Sequence, residues 1–102
     1  MVENVYINFE KEVEGEKLEK ILLDSAKEVG MKAESRDEYK EVIRLKPVRK
    51  EKAYKITHLH IHGVGYMNIS IDKRFKTNYL HIDQYCLDPE FNKYLDAVSQ
   101  KI

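Results

Sequence analysis

The chain has 102 residues, of which 42% are apolar and 35% charged, with 18 acidic groups against 18 Lys and Arg. That length suits one domain around one core, the balance excludes a disordered chain, and no apolar run approaches the roughly 20 residues needed to span a bilayer. The lone Cys86 excludes an internal disulfide framework and a multi-cysteine zinc site, leaving a buried thiol as its default reading.

Glu3 and Glu10 stand where a secretion signal would carry positive charge, so a cytoplasmic protein with no membrane partner is expected. The neutrality is uneven: residues 1–41 sum to −5, 42–76 to +7 and 77–102 to −2. In the middle segment Arg44, Lys46, Arg49, Lys50, Lys52 and Lys55 face only Glu51. A local patch of this kind attracts phosphate, with Arg49, Lys50 and Lys52 the candidate ligands, whereas the plainer reading is a solvated loop.

In chain order, VENVYINF (2–9) alternates, with Val5, Ile7 and Phe9 on one side and Asn4, Tyr6 and Asn8 on the other, as a half-buried strand does. From Gly15 to Gly30, Leu18, Ile21, Leu22, Ala26 and Val29 recur at helical spacing and Gly30 supplies a stop. MKAES then offers a strand, and YKEVIRLKP another that would turn Ile43 and Leu45 inward before Pro47 ends it; PVRKEK reads as a loop. Three strands follow at about 53–62, 66–72 and 79–86, placing Leu59, Ile61, Met67, Ile69, Ile71, Leu80 and Ile82 toward the helices. The last element starts at Asp88-Pro89 as a helix carrying Phe91, Leu95, Val98 and Ile102 on one face. The whole reads as a single α+β domain over 1–102: a two-layer sandwich, mainly antiparallel, with two helices on one face of the sheet, ferredoxin-like or related.

The other sheet face is left open, and alternation assigns to it Tyr6, Asn8, Tyr54, His58, His60, His62, Tyr66, Asn68, Ser70, Tyr79, His81, Asp83 and Tyr85. Hairpin register makes two polar rows, His58/Ser70/His81 and His60/Asn68/Asp83. His58 and His62 lie roughly 13 Å apart along a strand, too far for all three alternating histidines to hold one ion. A set of His58, His60, His81 and Asp83 could close around a divalent metal such as Zn²⁺, and an open coordination position would permit hydrolysis. Without a metal, the Tyr, Asn and Ser residues Tyr66, Asn68, Ser70, Tyr79 and Tyr85 make a ligand surface. Rings on an open sheet beside cations suit single-stranded RNA or a phosphorylated small molecule, and they suit equally a sheet-to-sheet homodimer, the plainest reading.

His58-Leu59-His60-Ile61-His62 resembles the signature of the histidine triad nucleotide hydrolases, with KEKAYKIT where that family has a glycine-rich stretch. His-hydrophobic-His is also similar to the metal motif of replication and relaxase endonucleases, which need a nucleophilic tyrosine on a following helix; Tyr94 is the candidate here. Ile69-Ser70-Ile71-Asp72, then Tyr79-Leu80-His81-Ile82-Asp83, Cys86, Asp88-Pro89 and Tyr94-Leu95 resembles the core of small prokaryotic S-adenosylmethionine decarboxylases. Those cleave themselves before a serine to make a pyruvoyl group, and this chain has Tyr66-Met67 where Glu-Ser is required and Asp72 where the catalytic histidine stands. That resemblance implies the fold and dimerisation, not the decarboxylation. The expectation is therefore a non-catalytic binding domain, homodimeric through its Tyr- and His-bearing face; a metal-dependent nucleotide or phosphodiester hydrolase and a single-strand RNA-binding module are the alternatives.

Overall fold

In the computed structural model, residues 2–63, 65–85 and 90–102 are described, the side chains of Val2, Lys52, Gln84, Tyr85 and Glu90 excepted. The elements are β1 (Val2–Glu14), α1 (Gly15–Glu28), β2 (Lys32–Arg44), β3 (Arg49–His62), β4 (Tyr66–Ile71), β5 (Lys76–Tyr85) and α2 (Glu90–Ser99). Cys86 and the Asp88-Pro89 helix start lie outside the described residues.

The five strands form one sheet in the order β1-β5-β4-β3-β2, every neighbouring pair antiparallel. β2 to β5 run as a meander and β1 joins at the β5 edge, so the α+β sandwich is built without the parallel crossover of a split βαβ unit.

One face of the sheet carries both helices. Leu18, Ile21, Leu22 and Ala26 of α1 and Tyr94 and Val98 of α2 close over Leu59, Ile61, Met67, Ile69, Ile71, Leu80 and Ile82, all buried. Each fully buried Leu or Ile contributes about 1.5–3 kcal/mol by leaving water, which is why alternation on the strands and helical spacing on α1 select the same interior. α1 ends as Gly30 predicts. With φ at 78°, Gly30 donates to Lys27 O (3.2 Å) while Met31 N–H reaches back to Ala26 O (2.8 Å), a Schellman closure that also buries Met31.

Tyr94 lies in this core. Its hydroxyl donates to the Leu22 carbonyl (3.0 Å), fastening α2 to α1, and burial drives its phenol far above the usual range. That placement removes it as a nucleophile, because a buried, bonded hydroxyl cannot reach a phosphodiester.

The helix layer stops before the strands do. The two segments read as MKAES and YKEVIRLKP are one continuous strand, β2, and the supposed PVRKEK loop belongs mostly to β3, whose pairing with β2 runs from Lys32↔His62 out to Arg44↔Arg49. Of β3, only Thr57–His62 pairs with β4, so beyond Ile56 the β2–β3 hairpin projects as a two-stranded arm. Ile43 and Leu45 are exposed rather than inward, since no layer covers that part of the sheet. The long axis is 52 Å and the radius of gyration 15.3 Å, against about 13 Å for a compact chain of this length.

Candidate functional site

On the open face the expected parity holds through β3 and β4: His58↔Ser70, His60↔Asn68 and His62↔Tyr66 are cross-strand partners. It changes in β5. Ser70↔His81 and Ile69↔Ile82 share one register, whereas Asn68↔Gln84 and Met67↔Tyr85 share another, leaving Asp83 as the extra residue of a bulge. Asn68 therefore faces Gln84, not Asp83, and the expected row His60/Asn68/Asp83 does not form. Asp83 joins the other row, beside His58, Ser70 and His81.

The result is a half-buried hydrogen-bonded cluster. Ser70 donates its hydroxyl to Asp83 Oδ2, and Ser70 Oγ lies 3.2 Å from His58 Nδ1; His58 Nε2 sits 2.8 Å from Glu38 Oε2 on β2. Asp83 comes within 3.7 Å of His58 Nδ1 and 3.4 Å of His81 Nε2. His81 Nε2 also lies 3.1 Å from Asn4 Oδ1, and the His81 ring stacks on Tyr6 at 4.6 Å with only 3° between planes. Asn4 has φ at 53°, a conformation asparagine tolerates better than most residues. Tyr79 stands 5.9 Å from Tyr6, and both rings are exposed.

His58 is held from both sides. Lys40 and then His58 hold the Glu38 carboxyl below its usual range, so it only accepts. His58 Nε2 therefore donates to Glu38 while Nδ1 lies against the Ser70 hydroxyl, so both ring nitrogens are turned toward protein partners in this arrangement.

The expected metal set is brought together only in part. His58, His81 and Asp83 converge, while His60 lies beside Asn68 and parallel to His62 (6.5 Å between ring centres). Among the described residues no group of three or more His, Cys, Asp or Glu is arranged to hold a metal ion. Among the ligand-surface residues, Ser70 and Tyr79 adjoin His81, Tyr66 and Asn68 lie at the far end of β4, and the Tyr85 side chain is outside the described residues. Arg49 and Lys50 sit at the outer end of the arm, about 30 Å along β3 from His58, with Tyr54 on the strand between them. The Lys52 side chain is outside the described residues.

No family model, curated protein or solved structure matches this chain. The motif resemblances stand on their own residues alone, and no helix among the described residues is long and apolar enough to cross a membrane.

Two features carried no signal in the sequence. Glu38 falls between the two segments that read as strands, MKAES and YKEVIRLKP, and only the β2–β3 register brings it to His58. A cleft of about 400 Å³ opens where β4 ends, between Ile56, Ser70, Phe75, Lys76, Tyr79 and His81. It exists because β3 and β5 extend past the short central strand.

Proposed function

We propose that this domain works by binding, and that its open sheet face pairs with the same face of a second copy. The observation that supports this most directly is the pair of exposed rings, Tyr6 and Tyr79, standing around a His81 already fixed by Asn4 and by stacking. Such rings bury large area on association while keeping a polar tip, and a pre-ordered patch loses little entropy on docking. His58 supports the same reading, because both of its ring nitrogens already face protein partners, Glu38 and Ser70, and a face so fixed is suited to contact. Sedimentation equilibrium tests it: the wild type is a dimer at micromolar concentration and Tyr6→Ser/Tyr79→Ser a monomer with unchanged circular dichroism. A monomeric wild type removes the proposal.

The cleft favours a second reading, hydrolysis of a nucleotide or phosphodiester. Ser70 and His81 form part of its wall, Lys76 offers a cation to phosphate, and about 400 Å³ is room for a small ligand. A metal would need His58 to leave Glu38 so that His58, His81 and Asp83 could present lone pairs together. Melting with and without Zn²⁺ and Mn²⁺ separates the two: a rise abolished by His81→Ala supports the hydrolase, and no shift removes the metal-dependent form.

A further inference from the structure

The β2–β3 arm is the largest part of the molecule that neither the core nor the open-face cluster uses. It projects about 24 Å beyond Ile56, counted as seven residues of β3 at strand rise. Its root is braced by Arg74, whose guanidinium lies 4.0 Å from the Tyr54 ring centre and is paired with Asp72 at 2.6 Å. Beyond that point neither helix covers it. A two-stranded ribbon alone is marginal in water, so an arm this long carrying apolar side chains implies something that it grips.

The charge of the arm indicates what. Residues 39–55 hold seven Lys and Arg against Glu41 and Glu51, a net of +5, while the rest of the chain carries −5. Both acids are occupied: Glu51 pairs with Arg44 (2.7 Å) and Arg49 (3.6 Å), and Glu41 with Lys50 (2.9 Å). These pairs are solvent-exposed and weakly held, so their cations can turn to phosphate at little cost. At the tip Leu45 and Val48 are 70% and 75% exposed on either side of Lys46-Pro47. The acidic body does not cancel this field, because the tip lies farther from it than the screening length of about 8 Å at physiological salt.

We infer that the arm docks into the major groove of B-form DNA, its cations on the flanking phosphates and Leu45 and Val48 against the base edges. A two-stranded ribbon fits that groove, which is about 12 Å wide, and apolar side chains find thymine methyl groups on its floor. The deep, narrow major groove of duplex RNA does not admit it. Phosphate contacts supply the affinity and leave it sharply salt-dependent.

Fluorescence anisotropy of a labelled 20-bp duplex, titrated with the whole protein at several salt concentrations, tests this. With five phosphates engaged, the slope of log K against log salt is about −4.5. Lys46→Ala/Arg49→Ala makes it shallower by about 2, and Leu45→Ser/Val48→Ser weakens binding about tenfold at the same slope. All four side chains are exposed, so both variants melt with the wild type. Absence of binding at 50 mM salt, a slope indifferent to Lys46 and Arg49, or equal affinity for duplex RNA of the same sequence overturns the inference. So does self-association that Leu45→Ser/Val48→Ser abolishes without any DNA binding, which would give the arm to a second copy.

Discussion

The Ser70 hydroxyl donates to Asp83 although Ser70 and His81, not Ser70 and Asp83, are the paired residues of β4 and β5. The bulge swings Asp83 over, and Ser70 then serves two partners at once, giving its hydrogen to Asp83 while its oxygen lies 3.2 Å from His58 Nδ1. Ser70→Ala takes a partner from a half-buried carboxylate and from an imidazole nitrogen together, and is expected to cost about 1–3 kcal/mol. Urea denaturation measures it, and Ser70→Thr, which keeps the hydroxyl, recovers most of the loss.

Tyr94 makes stability fall in alkali. Burial raises its phenol in the folded protein, so above the ordinary value of 10.0 the unfolded chain releases a proton that the native one keeps, and stability declines as pH rises from there. Tyr94→Phe removes that slope at a cost of about 1 kcal/mol at neutral pH for the lost bond to Leu22. Melting temperatures between pH 8 and 11 for the two proteins show it, and the wild type with the same alkaline slope as Tyr94→Phe would contradict it.

Asp37 works in the opposite direction. The buried Thr57 hydroxyl, donating at 2.8 Å, and then Lys55 hold its carboxyl below the usual carboxylate range. A carboxyl depressed by folding stabilises above its unfolded pKa, and the contribution is lost as pH falls through the folded value. In Thr57→Val the Asp37 resonance in a carbon-detected NMR titration moves at higher pH than in the wild type.

Two glycines are needed for different reasons. A Cβ on Gly15 would stand 2.6 Å from the Lys73 Cα, so Gly15→Ala pushes α1 off the β4–β5 turn and costs about 1–3 kcal/mol. Around Gly30 there is open space and only its φ of 78° is restrictive, so Gly30→Ala costs about 1–2 kcal/mol. Asparagine tolerates that conformation, and Gly30→Asn is milder than Gly30→Ala in thermal melts, whereas Gly15→Asn is worse than Gly15→Ala.

The interior was legible because two periodicities agree on it: residues such as Leu59, Ile61, Ile69 and Ile82 alternate, and Leu18, Ile21 and Leu22 recur at helical spacing. The open face was legible for the same reason through Ser70. The bulge at Asp83 was not, since one extra residue leaves the local pattern of alternation intact while changing every partner beyond it. Ile43 and Leu45 misled in another way. Alternation reports which residues share a side of a strand and says nothing about whether a layer lies over that side, and α1 does not extend that far. Tyr94 was ambiguous because a tyrosine on a helix reads alike as a core ring and as a reactive hydroxyl until its partner, Leu22 O, is known.

The brevity of β4, six residues between strands of fourteen and ten, divides the molecule by time as well as by space. From Thr57 to His62 the backbone of β3 is hydrogen-bonded on both sides, so those amides open only when the core does; from Arg49 to Ile56 it is held by β2 alone. Amide exchange should therefore be slow at Leu59 and Ile61 and orders of magnitude faster at Glu51 and Ala53. The arm can fray, twist and re-form many times within the lifetime of a single folded body.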